Sequence, residues 1–330
     1  MSEIRKDPLT GRAVIIAPER ARRPKQLGST INPGSPQACP FCPGNENFTP
    51  PESWADRPGD SRPNQPGWSV RVVPNKFPAV NTAQVEPIEP TTDRSPGNGV
   101  HEVIIESAAH IANLAALDEH QFTRIFRAYR ERLRAWREDS RWRFRLLFKN
   151  QGERAGATLE HTHAQLVALP FMPADVKIEL ARADEYYQRS ANCYYCAQIV
   201  REVQTGTRIV AGNLEFIALC PSAPRFAFET WIIPRLHAAA FEESDDTSVA
   251  ALASISRRVI TALDRLQGNP PFNLFIQSLS LDETEQLRYH WQLRLLPQFS
   301  RAAGFEWGSG MHINPVAPED AARILRDAAI

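Results

Sequence analysis

One ordered set of features is written twice along this chain. "ACPFC" at 38–42 is answered by "NCYYC" at 192–196. "HEVIIESAAH" (101–110), a strand pattern running to His110, is answered by "FETWIIPRLH" (228–237), running to His237. Each then leads into an amphipathic helix pattern. The first starts near Asp118, with Gln121 in the capping-box position and a stripe of Phe122, Ile125, Phe126, Tyr129, Leu133 and Trp136. The second starts near Ser244 or Asp245, carries Leu252, Ile255, Val259, Leu263 and Leu266, and stops at Gly268. Strand patterns "RFRLLF" (143–148) and "NLFIQS" (273–278) follow, and the two sets close on "HTHAQLVALP" (161–170) and "HWQLRLLP" (290–297). Such a repeat predicts an α+β fold of two tandem related halves, residues 1–178 and 179–330, with antiparallel sheets and packed helices. The Pro-rich stretch 50–66 and the polar stretch 83–99 read as long loops, and "PEDAARILRDAA" reads as a closing helix.

Four of the five cysteines fall into the two Cys-x-x-Cys pairs, and Cys220 stands alone as a buried small residue. With the histidines that end each strand pattern, each half offers two thiols and two imidazoles: Cys39, Cys42, His110 and His161, then Cys193, Cys196, His237 and His290. Four ligands of this type suit tetrahedral zinc in a closed structural site, which predicts two zinc ions per chain. The histidine spacing is nearly the same in both halves and unlike that of a zinc finger. Incidental buried thiols or a redox couple compete with this reading. The redox couple is disfavoured because neither pair opens a helix after a strand. His101 and His120 read as ordinary solvated histidines.

Composition closes off other classes. The 330 residues, 42% apolar and 23% charged, are those of a soluble globular protein. Lys plus Arg number 38 and so do Asp plus Glu, so the net charge carries no bias toward nucleic acid or an anionic membrane. The first residues carry no signal-peptide pattern and no apolar run is long enough to span a bilayer, so the chain reads as cytoplasmic.

"GATLEHTHAQLVALP" (156–170) places His161, His163 and Gln165 on one face of an apolar strand. If a metal pins His161, the imidazole of His163 is held at a fixed angle. A neutral ring whose Nδ1–H is bonded to a carbonyl offers Nε2 as a nucleophile, and the Gln165 amide can donate to an anionic oxygen. Upstream, Asn150, Gly152, Gly156 and Thr158 of "KNQGERAGAT" could line a phosphate. The competing reading makes both histidines metal ligands or satisfied core residues.

These residues resemble the histidine-triad superfamily and, more closely, the galactose-1-phosphate uridylyltransferase family, near its branch containing plant ADP-glucose phosphorylase. The resemblance runs from "PERARRPKQ" (18–26) through "CPFCPGNE", "VPNKFP", "KNQGERAGATLEHTHAQ" and "FETWIIPRLH" to "HWQLRLLPQFSRAAGFEWGSGMHINPVAPEDAARIL". It implies two histidine-triad-like halves, the first catalytic and the second degenerate, in a homodimer. It also implies nucleotidyl transfer between a nucleoside diphosphate sugar and a hexose 1-phosphate through a nucleotidyl-histidine. By the same resemblance His163 is the nucleophile, and Gln165 stabilises the phosphoryl oxygens. Asn150, Gly152 and Thr158 lie at the phosphates, Glu306 meets the hexose, and Asn75, Arg20 and Arg23 lie near the nucleotide. Three departures stand out. Thr162 replaces the proline of the His-Pro-His form, Asn75-Lys76 replaces an Asn-Asp pair, and Arg294 and Leu296 occupy the positions of a late His-x-His. Uridylyl and adenylyl transfer both remain open. So do nucleotide hydrolysis of the smaller histidine-triad kind and a zinc-stabilised binding module. Two alignments of the second half also remain, with His290 opposite His161 or opposite His163.

Overall fold

The structure, a computed structural model, describes residues 3–6, 13–16, 39–82 and 94–329. Among them the elements are β1 (Glu3–Lys6), β2 (Ala13–Ile16), β3 (Trp54–Asp56), β4 (Val70–Pro74), β5 (Arg94–Pro96), β6 (Val100–Ile105), α1 (Glu119–Arg137), β7 (Phe144–Gln151), β8 (His163–Leu169), α2 (Ala174–Ser190), α3 (Tyr194–Thr205), β9 (Ile209–Gly212), β10 (Phe216–Leu219), β11 (Thr230–Pro234), α4 (Asp246–Leu266), β12 (Phe272–Leu279), α5 (Glu283–Gln286), β13 (Leu293–Pro297), α6 (Gly304–Ser309) and α7 (Pro318–Ala328).

The two sets of strands join in one ten-stranded sheet of order β3-β4-β6-β8-β7-β12-β13-β11-β10-β9, beside a small sheet β2-β1-β5. Read outward from the centre, each side visits its five strands in the same chain order, and a helix crosses over between the third and fourth in both. The seam is the eight-residue antiparallel pair β7 and β12, in register from Phe144↔Leu279 to Gln151↔Phe272. Both strands alternate in burial along their length. Their odd and even residues therefore serve two different layers. α2 spans the segment on which the sequence divides. No helix among the described residues is long and apolar enough to cross a membrane.

α1 and α4 cover one face of the sheet. Phe122, Ile125, Phe126, Tyr129 and Leu133 of α1 and Leu252, Ile255, Val259 and Leu263 of α4 are buried against Ile104, Leu147, Ala164, Leu166, Leu274, Ile276 and Leu295. Each large side chain so buried contributes roughly 1.5–3 kcal/mol, which is why the helical stripe was readable in the sequence. Asp118 and Asp245 cap the helices, accepting from the backbone N–H of Gln121 (2.7 Å) and Ser248 (2.8 Å). Gln121 does not complete a capping box. Its side-chain amide instead donates to the carbonyls of Ser69 (2.9 Å) and Glu106 (2.7 Å), tying the first turn of α1 to backbone just outside β4 and β6.

The strands are shorter than their sequence patterns. β6 ends at Ile105 and β11 at Pro234, so His110 and His237 lie on the loops that follow. β8 begins at His163 and β13 at Leu293, so His161 and His290 precede their strands. In each half both histidines have left the ladder at one end of the sheet, where they can converge on a Cys-x-x-Cys turn.

Candidate active site

The face of the first half opposite α1 carries a second, smaller cluster of Cys39, Phe41, Cys42, Trp68, Val73, Val103 and Ile105. β8 separates the two layers as the alternation requires. Ala164 and Leu166 face α1, and His163 and Gln165 face the other way. His161 and Thr162 continue that alternation although they precede the strand.

The two neighbouring histidines hold opposite tautomers. His161 Nε2 donates to the carbonyl of Ser107 (2.8 Å), which leaves its Nδ1 without a proton, 3.5 Å from Cys39 Sγ and 3.6 Å from Cys42 Sγ. His163 does the reverse. Its Nδ1 donates to the carbonyl of His161 (2.8 Å), so the lone pair lies on Nε2. Burial pushes the His161 imidazole down to about 4, so that ring is neutral at neutral pH.

His163 forms part of the wall of a cavity of about 330 Å³, a volume in the range of small-molecule sites. Phe41, Phe48, Phe77, Val73 and Val103 give the cavity an apolar lining, and Asn75, Lys76 and Thr158 add polar groups. Phe41 meets the His163 ring edge-on at 5.2 Å between centroids. The buried hydroxyl of Thr158 has no hydrogen-bond partner among the described residues. A buried hydroxyl left unpaired costs free energy that a ligand oxygen in the cavity can recover.

From the helix side, a buried polar group grips the same backbone. Lys149 Nζ donates to Glu106 Oε2 (2.6 Å), to Thr162 Oγ1 (2.8 Å) and to the carbonyl of His163 (3.2 Å). Thr162 Oγ1 donates to Glu106 Oε2 (2.5 Å), and Tyr129 donates to the other carboxylate oxygen. The Thr162 N–H also donates to the carbonyl of Ile111 (2.6 Å). A proline at 162 would lose both the hydroxyl and this N–H, which gives the departure from His-Pro-His a physical meaning.

Two clusters of metal-ligand type are present among the described residues. They are Cys39, Cys42, His110 and His161, and Cys193, Cys196, His237 and His290, with the ligand atoms of each within 4.8 Å of one another. Neighbouring ligands of a tetrahedral zinc lie about 3.3–3.8 Å apart. Here Cys42 Sγ is 3.2 Å from His110 Nδ1, and Cys196 Sγ is 3.4 Å from His237 Nδ1 and 3.5 Å from His290 Nδ1. His237 Nε2 donates to the carbonyl of Gln286 (2.9 Å), as His161 does to Ser107, so the nitrogens facing the thiols carry no proton. The donor sets fit a soft divalent metal.

The clusters differ electrostatically. In the first, burial pushes both thiols up, Cys42 to about 12, so a cation is needed there to ionise them. In the second the two thiols act as a pair: the hydrogen bond from Cys196 holds Cys193 below its usual range, and the same bond together with burial pushes Cys196 up, so one proton is retained between them. Cys193 is also the N-cap of α3, so this pair does open a helix, though one that follows α2 and not a strand.

His290 enters the second cluster as His161 enters the first, which decides the alignment of the halves. Gln292 is then the counterpart of His163 and Arg294 of Gln165. Arg294 is paired with Glu179 and lies over Trp231 at 4.9 Å. Gln292 has no lone pair of imidazole type to attack with.

The other residues singled out in the sequence fall in several places. Asn75 and Thr158 line the cavity with His163, and Gln165 is buried on the same strand. Asn150 lies on β7, its Oδ1 accepting from Asn273 Nδ2 (2.8 Å). Gly152 takes φ +79° and sits where a Cβ would come within 3.1 Å of Pro271. Neither is part of the cavity wall. Glu306 is on the exposed α6, where its carboxylate accepts from the N–H of Ala303 (2.8 Å). Arg20 and Arg23 lie outside the described residues. The expectation for His101 is corrected. It is buried, not solvated, because the register of β6 on β8 turns it onto the face that carries Gln165. Its Nε2 stands 2.9 Å from Gln165 Oε1. The alternation in "HEVII" was the signal that could have found it.

Residues 1–173 match the family model for the galactose-1-phosphate uridyl transferase N-terminal domain. An ADP-glucose phosphorylase of Arabidopsis thaliana is 35% identical over 337 residues, covering 99% of this chain and 93% of that protein. A galactose-1-phosphate uridylyltransferase of Thermotoga maritima is 27% identical over 338 residues, covering 100% and 99%. The solved structure of an Arabidopsis thaliana ADP-glucose phosphorylase with bound ADP-glucose superposes with a TM-score of 0.77 at 31% identity, covering 99% of both chains. A uridylyltransferase structure superposes with a TM-score of 0.80 at 27% identity, covering 99% and 98%. With its doubled sheet, its paired Cys-His clusters and the imidazole of His163 on the cavity wall, the chain belongs to the galactose-1-phosphate uridylyltransferase family.

Proposed function

We propose that the protein is a hexose-1-phosphate nucleotidyltransferase of the UDP-glucose:hexose-1-phosphate uridylyltransferase type, with His163 as the carrier. His163 Nε2 attacks the α-phosphorus of a nucleoside diphosphate sugar. The P–N bond forms as the bond to the bridging oxygen breaks, and the sugar 1-phosphate leaves with that electron pair. A phosphate oxygen of the second sugar phosphate then attacks the same phosphorus and releases Nε2. The observation that carries this reading is the His163 tautomer, set by the carbonyl of His161, at the wall of a cavity that also holds the Thr158 hydroxyl, unpartnered among the described residues. Gln165 and Thr158 donate to the phosphoryl oxygens as charge builds on them, and the apolar wall keeps water from the adduct.

An adenylyl group in place of uridylyl is the second reading. The 35% identity to a protein named ADP-glucose phosphorylase favours it over the 27% to a uridylyltransferase. In both readings zinc occupies the two clusters, holding the Cys-x-x-Cys turns against the ends of β6 and β11. We divide the chain at 178/179 into a catalytic and a degenerate half, which the repeated strand order supports. A homodimer is supported by exposed Phe305, Trp307, Met311 and Ile313 around Glu306. Cys-x-x-Cys pairs that serve as zinc ligands, and not as disulfides, suit a reducing compartment such as the cytoplasm.

The test is to incubate the protein with UDP-glucose or ADP-glucose and read its intact mass and the modified peptide. An acid-labile nucleotidyl adduct at His163, absent from His163→Asn, is expected, and the added mass names the base. An adduct in the His163→Asn variant removes the mechanism. Free nucleoside monophosphate accumulating without any sugar-phosphate acceptor would point to hydrolysis.

A further inference from the structure

We propose that His101 is a positioning residue for this transfer, fixing the amide of Gln165 so that its NH2 group, and not its carbonyl, is presented to the phosphoryl oxygens. The inference rests on the reading of His163 as the nucleotidylated residue. Two successive assignments lead to it. The backbone N–H of Ala79 donates to His101 Nδ1 at 3.0 Å. A backbone amide can only donate, so Nδ1 holds a lone pair and the proton of the neutral ring is on Nε2. That nitrogen stands 2.9 Å from the side-chain oxygen of Gln165, to which it donates.

Asn75 supports the same orientation. Its Oδ1 accepts from the Phe77 N–H at 2.9 Å, so its Nδ2 is the group turned inward and donates to Gln165 Oε1 at 3.5 Å, while its 3.0 Å approach to His101 Nε2 is a contact between two donors and not a hydrogen bond. Two donors therefore crowd one side of Gln165. Reversing the amide would set NH2 against both. With Oε1 held, the two N–H groups on Gln165 Nε2 are directed away from His101, and they make no hydrogen bond to the described protein. The frame is stiff. His101 and Gln165 are both buried, on paired strands in register Val103↔Gln165, and the Asn75 N–H donates to the carbonyl of His101 (2.8 Å). Lines of this kind, from backbone through imidazole to amide, keep a donor aimed before charge develops, which is when it is most effective.

The experiment measures adduct formation at His163 in a single turnover, and nucleotide-sugar binding, for wild type, His101→Leu, Gln165→Leu and the double variant. Deleting one such donor outright typically costs 10²–10³-fold, so His101→Leu, which only frees the amide to turn, is expected to slow adduct formation by roughly 10–100-fold. The binding constant should change by less than about threefold, because the ground state asks less of the amide. In the Gln165→Leu background, His101→Leu should slow the step no further. His101→Gln, which can accept from Ala79 and donate to Gln165, should recover most of the rate, and it keeps the test alive if the leucine variant does not fold. Multiplicative losses in the double variant, a loss confined to binding, or His101→Gln as slow as a variant without any donor would each overturn the proposal. Absence of adduct in the wild type would instead overturn the function it rests on.

Discussion

Replacing Lys149 with methionine removes a buried ammonium while keeping most of the length of its stem. Lys149 and Glu106 are each at most 2% exposed at the side chain and 2.6 Å apart. Taking away one partner of a buried pair costs about 3–5 kcal/mol, because the other charge stays desolvated. Glu106 keeps two donors here, Tyr129 and Thr162, so the expected loss is near the lower end, about 3 kcal/mol. Tyr129 can go on donating, since burial and the adjacent carboxylate hold its hydroxyl well above the usual tyrosine range. Urea denaturation of Lys149→Met, Glu106→Gln and the double variant forms a cycle. Neutralising both partners should restore about 1–2 kcal/mol relative to Lys149→Met alone, because no unpaired charge is then buried. A single variant that loses less than about 1 kcal/mol, or a double variant that loses the sum of the two singles, would refute the argument that charge pairing holds this strand entrance together.

Three further outcomes are expected. Thr162→Pro should cost roughly 2–4 kcal/mol by thermal or urea denaturation, since it strips one buried N–H···O bond and leaves Glu106 and Lys149 each short of a partner; an unchanged midpoint would contradict the role given to Thr162. Metal should leave in two phases under a chelator with a zinc-sensitive dye. The second cluster empties first because His237 is exposed while three ligands of the first are buried, and His237→Ala should abolish the fast phase only. In metal-free protein, stability should fall as pH drops from 6.5 through about 4. The His161 ring has its folded value below its unfolded one, so unfolding takes up a proton in that window, worth up to about 3 kcal/mol. A midpoint flat over that range, with His161→Asn as the reference, would count against it.

The sequence by itself determined the doubled α+β plan, the two helix stripes apart from the exposed Leu266, the Asp118 cap and the membership of both Cys-His clusters, while it left the second cap open between Ser244 and Asp245. These are properties of local period and of residue type, which depend on near neighbours along the chain. It also marked His163, because a strand's alternation makes a polar face visible in one dimension. Tertiary structure alone decided the rest. That the halves share one sheet depends on the pairing of β7 with β12, which no local pattern states. The counterpart of His161 depended on which imidazole reaches the second thiol pair. The role of His101 depended on register. Shifting β6 by one residue against β8 would turn it from the Gln165 face to the helix face, and a single sequence carries the alternation of each strand but not the offset between two.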